Sequence, residues 1–180
     1  NDLFHFLLIC EQSTRWPVLE RLCRELLKKP DLDLKYRTLI YVALMESLAE
    51  QGRGDEALQL AADAKKSAGK METLRARVQL EVGHVDTEFL KDYKSADKIF
   101  SDLITDCARL RHPLVREAAV SWGDMFIDSG DLGRAGTAFR LAKTLGVVGL
   151  VTEGQNDATT RGAYIRMAEQ LLRDGNVRQS

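Results

Sequence analysis

The chain has 180 residues, 44% of them hydrophobic and 29% charged, with three prolines and a formal net charge of −1. That balance excludes an intrinsically disordered chain and a collagen-like one, and it gives no overall electrostatic pull toward nucleic acid or an anionic membrane. No stretch reaches the roughly eighteen uncharged apolar residues of a membrane span, and Cys10, Cys23 and Cys107 show no framework spacing.

Apolar residues recur at helical spacing along nearly the whole chain, and no segment alternates as a half-buried strand would. An all-helical fold is therefore expected. Leu3 to Cys10 lacks the basic flank and cleavage site of a secretion signal and reads as a short buried or amphipathic helix. Leu19, Leu22, Cys23, Leu26 and Leu27 form the next stripe, opened by Pro17 in the first turn and closed by Pro30. Asp33 can cap a helix whose stripe is Leu34, Ile40, Tyr41, Leu44, Met45 and Leu48, stopped by Gly52. Gly54 or Asp55 opens a helix that ends near Gly69. Long helices are predicted over Met71–Leu90 and Lys94–Leu110. Pro113 starts another, which runs to Ser129, and Asp131 restarts the chain for a helix to Leu145. After an apolar loop that includes Val147, Val148, Leu150 and Val151, Asn156 or Asp157 caps a last helix, about 156–174.

Three of these helix-turn-helix segments are in register. Ala57, Ala96 and Ala135 follow similar turns and are separated twice by 39 residues. In the third segment, Trp122-Gly123 is followed by Phe126, by a Gly130-Asp131 turn, and by Ala135, Phe139 and Ala142. Gly123 and Ala135 read as the points where two helices cross, with Trp122, Phe126 and Phe139 filling the surrounding space. This segment resembles the tetratricopeptide repeat family closely. The second keeps Gly83, Asp92, Tyr93, Ala96 and Phe100; the first keeps its glycine turn, Ala57 and Ala64, with Met45 at the small position. Residues 1–30 look like a degenerate repeat, and the others fall at about 33–69, 71–111 and 113–146. The period exceeds the family's usual 34. The resemblance implies a single domain over 1–180: a right-handed superhelix of antiparallel helix pairs, an α-solenoid closed by the C-terminal helix as a cap.

Enzymatic constellations are sparse. Glu81 and His84 form one ExxH unit, which di-iron bundles use twice. Cys107 and His112 offer nucleophile and base types without an oxyanion site, and Gly52-Arg53-Gly54 is explained as a repeat turn. The chain therefore reads as a non-enzyme with no cofactor, no catalytic residue and no metal site. The rival readings are a ligand-sensing or regulatory repeat domain of a larger protein, kept open by the absent initiator Met, and last an enzyme.

The family's peptide contacts come from the first helix of each pair. Carried over residue by residue, they fall on Leu39, Val42, Glu46, Ala49 and Glu50; on Val78, Glu81, Val85, Glu88 and Phe89; and on Glu117, Val120, Asp124, Ile127 and Asp128. All seven ionisable residues in this set are acidic. The resemblance thus implies a concave, acid-lined groove for a basic or mixed-charge peptide or partner helix packed against Val42, Val78, Val85, Phe89, Val120 and Ile127. Chaperone-binding members place a Lys and an Asn where Val42 and Glu46 stand, so an acidic C-terminal tail is not the expected ligand. Neither nucleic acid nor membrane is an expected partner. Self-association can involve residues 147–151 or the last helix, whose Arg161, Arg166 and Arg173 could reach a neighbouring acidic face. Three cysteines without a pairing pattern suit a reducing, cytoplasmic compartment, although spacing alone leaves a Cys10 to Cys23 bridge open.

Overall fold

A computed structural model describes residues 15–109 and 114–145. Among the described residues there are seven α-helices, one π-helical turn and no strand. The helices are α1 (Trp16–Leu27), α2 (Leu34–Glu50), α3 (Gly54–Ala68), α4 (Glu72–His84), α5 (Tyr93–Arg109), α6 (Leu114–Asp128) and α7 (Leu132–Leu145); the π turn, Val85–Leu90, follows α4 directly. The protein is all-α, as its periodicity implies. The readings that fall on 1–14, on His112 and Pro113, on the 147–151 apolar run and on the 156–174 helix lie outside the described residues.

By packing, the chain divides into two compact units, Asn1–Lys91 and Asp92–Ser180. In the first, α2 packs against α1, α3 and α4, and the π turn lies against α3 and α2. That central position explains the composition of α2, which buries Thr38, Ile40, Val42, Leu44, Met45, Ser47, Leu48 and Ala49 on several sides rather than along one stripe. Leu34, expected in the stripe, is instead exposed in the first turn. Asp33 caps α2 through a 2.8 Å bond from the Lys35 N–H. Arg37 donates to the carbonyls of Leu27 and Lys29 at 3.0 and 2.7 Å, closing the end of α1 with the charge that a helix C-terminus favours.

An ion-pair network fixes α1 on the α2–α3 turn. Arg53 in the turn holds the Glu20 carboxylate at 2.9 Å and the Glu56 carboxylate at 2.6 Å, and Arg24 bridges the same two acids at 3.0 and 2.7 Å. Gln51 adds a 3.0 Å bond to Glu20, and the Ser47 hydroxyl donates to the Trp16 carbonyl at 2.8 Å. Burial opposes ionisation of Glu20, but the bonds from Arg53, Gln51 and Arg24 outweigh it and hold the carboxyl below its ordinary range.

In the second unit, α6 packs between α5 and α7. Phe100, Leu103, Met125, Phe126, Ala135, Phe139 and Ala142 are its buried core. Gly123 is there because nothing larger fits: a Cβ on it would lie 2.2 Å from Cε1 of Phe139. Around this crossing the Trp122 indole donates to Asp97 at 2.8 Å and stacks obliquely on Phe126, with ring centroids 5.2 Å apart. Arg134 lies 4.4 Å over the Phe126 ring and binds Asp131 at 2.6 Å.

Candidate functional site

The 39-residue period recurs in the backbone itself. Gly52, Lys91 and Gly130, evenly spaced, are in the left-handed region with φ of +76°, +56° and +82°. Four residues after each of the next positions a helix starts in the same way: Ala57, Ala96 and Ala135 donate to the carbonyls of Arg53, Asp92 and Asp131 at 3.0 Å in all three cases. The three alanines have no exposed surface. In the first and third turns the closing bonds also match, with Arg53 N–H to Leu48 O at 2.9 Å and Asp131 N–H to Phe126 O at 2.8 Å. With Gly52 N–H to Ala49 O at 2.8 Å and Gly130 N–H to Ile127 O at 3.0 Å, each turn has the paired bonds of a Schellman ending, which needs a left-handed residue and so favours glycine.

Between the small residue of each first helix and the left-handed residue of its turn there are seven steps in the first and third segments, from Met45 to Gly52 and from Gly123 to Gly130, but eight in the second, from Gly83 to Lys91. The π turn lies inside that interval and accommodates one extra residue, as single-residue insertions in helices do. Burial follows the corrected count. Thr38, Ala76 and Arg116 are buried counterparts, as are Ile40, Val78 and Ala118, then Val42, Leu80 and Val120, then Met45, Gly83 and Gly123. The straight Met71–Leu90 helix expected from periodicity is thus an α-helix followed by a π turn, and upstream of that turn the 39-residue offset slips by one.

This slip moves the second segment's contact positions. Arg77, Leu80 and His84, rather than Val78, Glu81 and Val85, are the counterparts of Leu39, Val42 and Glu46. Val78 and Val85 have no exposed surface and belong to the core cluster of the first unit, so the expectation that they line a groove is corrected. Glu81, also set among groove residues, is half-buried with its carboxylate 3.9 Å from His84 Nδ1. Val42, Val120 and Ile127 are buried as well, which leaves half-buried Phe89 as the member of the expected apolar floor with appreciable surface. Among the acids, Glu50, Glu88, Glu117 and Asp128 are exposed, and Glu46 and Asp124 are half-buried. In the first unit α2 brings Glu46 and Glu50 to one helix, packed against the α4 that carries Arg77 and His84; in the second, Glu117, Asp124 and Asp128 share α6. Leu39 is half-buried and Ala49 buried.

The remaining chemistry is sparse. Among the described residues no three His, Cys, Asp or Glu side chains come close enough to hold a metal ion, and no helix is long and apolar enough to cross a membrane. The Cys107 thiol is buried; desolvation, then the Asp106 charge, push its pKa up and keep it protonated at neutral pH. Arg116 is buried too, and desolvation pulls its guanidinium below the usual range. Neither the models of known protein families nor the curated proteins provide a match to this chain.

Proposed function

We propose that the chain is a non-catalytic protein-interaction module of tetratricopeptide-like repeats, acting without a cofactor. In this reading, consecutive helices pair antiparallel and the pairs stack into the right-handed superhelix that the resemblance implies. A partner peptide or helix lies along first-helix faces, those of α2 and α4 in the first unit or that of α6 in the second. The observation that carries the reading is the threefold recurrence, at 39 residues, of a left-handed turn residue, a buried alanine and the same first-turn hydrogen bond. Repeats of this kind bury their cores by stacking on neighbours and leave one set of helix faces for partners.

The charges on those faces define the ligand chemistry. Glu46, Glu50, Glu88, Glu117, Asp124 and Asp128 favour a peptide rich in Lys or Arg, and Arg77 and His84 on α4 favour a mixed-charge one. Because the valines are core residues, affinity comes from the polar rim and Phe89 more than from an apolar floor. The test is selection of random twelve-residue peptides on the immobilised full chain. Enrichment of basic or mixed-charge sequences that release between about 50 and 500 mM salt is the expected result. A selection that enriches no sequence, or acidic ones, overturns the proposal.

A further inference from the structure

The turn between α4 and α5 is built differently from its two counterparts. The first and third end in regular α-helix and place glycine in the left-handed position. The second ends in a π turn and places Lys91 there, with the Lys91 N–H reaching the Asp86 carbonyl. A side chain at a positive φ meets its own backbone, a penalty that glycine escapes. The core under the turn differs as well. Thr87 stands where the other segments have Leu48 and Phe126; it is 4% exposed, and its hydroxyl has no hydrogen-bond partner. Asp86, 3% exposed, stands where they have Ser47 and Met125. Burying Thr87 in place of Leu48 or Phe126 forfeits apolar stabilisation, and its unmet hydroxyl adds a desolvation cost.

The segment is nonetheless held tightly on one side. Leu90 lies against the first residue of α3, so close that a Cβ on Gly54 would be 2.9 Å from Leu90 Cδ2. The compact packing of the first unit ends immediately afterwards, at Lys91. A π turn, a strained lysine and an unmet buried hydroxyl therefore coincide at one turn, while the equivalent turn at Gly52 has none of them.

We propose that residues 85–91 are a conformational joint, the turn that opens before the rest of the protein unfolds. Opening frees Thr87 to bond water, relaxes Lys91 and lets α4 continue as regular helix by passing its surplus residue into the turn. The inference does not depend on whether the helix faces bind a partner. It is tested by hydrogen exchange on the full chain, comparing amides 86–92 with their counterparts 47–53 and 125–131. Exchange at 86–92 at least about tenfold faster than at both counterparts is expected. Lys91→Gly, which removes the strain without touching the core, slows exchange at 86–92 by roughly two- to threefold and leaves the other two turns unchanged. Equal protection of the three turns, or rapid exchange that Lys91→Gly does not slow, overturns the proposal.

Discussion

Replacing Gly123 by alanine adds one methyl group at a close helix crossing in the second unit. That Cβ would lie 2.2, 2.6 and 2.6 Å from three ring carbons of Phe139, where ordinary contact begins near 3.4 Å. Phe139 has no exposed surface, so its ring has no solvent side into which to retreat. Overpacking of a filled core costs about 1–3 kcal/mol, and this overlap with a rigid ring places the cost at the upper end. Alanine recovers about 1 kcal/mol through its better helix propensity. The net loss is about 2 kcal/mol, a fall in the urea midpoint of about 1 M at an m-value near 2 kcal/mol/M. Urea unfolding followed by far-UV circular dichroism measures it. In a Phe139→Leu background the same substitution should cost at least about 0.5 kcal/mol less, because the clashing ring is gone. A Gly123→Ala variant as stable as the wild type, within about 0.5 kcal/mol, would refute the packing argument.

Opposite signs are expected at equivalent turn positions. A Cβ on Gly130 would meet no atom within 4 Å, so Gly130→Ala carries only the backbone penalty and destabilises by about 1 kcal/mol, whereas Lys91→Gly stabilises by about 0.5 kcal/mol; thermal unfolding reads both. Deleting Thr87 brings the interval from Gly83 to Lys91 to the seven steps of its counterparts and leaves the far-UV spectrum and cooperative unfolding intact, while deleting Gln79 from the interior of α4 rotates the preceding turns by about 100° against the core and abolishes cooperative folding. Glu20 titrates below its ordinary 4.5 in the folded state, so its contribution is present above that value and is lost as pH falls through the folded value. Glu20→Gln should therefore weaken the protein at neutral pH and flatten the decline below about pH 4.5, as acid titration at fixed urea will reveal.

Helix punctuation among the described residues was legible because the residues responsible act locally. Asp33, Gly52, Gly69 and Gly130 stop or start helices through their own backbone or side-chain geometry, and each does so where expected. The alanine and glycine at the Gly123 crossing were legible for the same reason: their small size is their role. The π turn was harder, since its residues Val85 to Leu90 have no composition that separates them from α-helix. Its trace was arithmetic. Placing Gly83 at the small position already made the interval to Lys91 one residue too long, and keeping the 39-residue offset upstream of it set the buried Val78 and Val85 among groove residues. The Glu20–Arg24–Arg53–Glu56 network was also not foreseen, because it joins residues over thirty positions apart whose charges, read singly, suit any exposed helix. Lys91 shows the limit of residue-type rules: a left-handed position was signalled by the period and not by its amino acid.

The claim that the first-helix faces bind a partner is tested most directly by titrating a selected basic peptide into the wild type and into Glu46→Lys/Glu50→Lys, two substitutions on α2 that spare the buried core. The account predicts a dissociation constant at least about tenfold weaker for the variant, with cooperative unfolding retained and a shallower salt dependence. Equal affinity in a folded variant would contradict it and remove α2 from the binding surface.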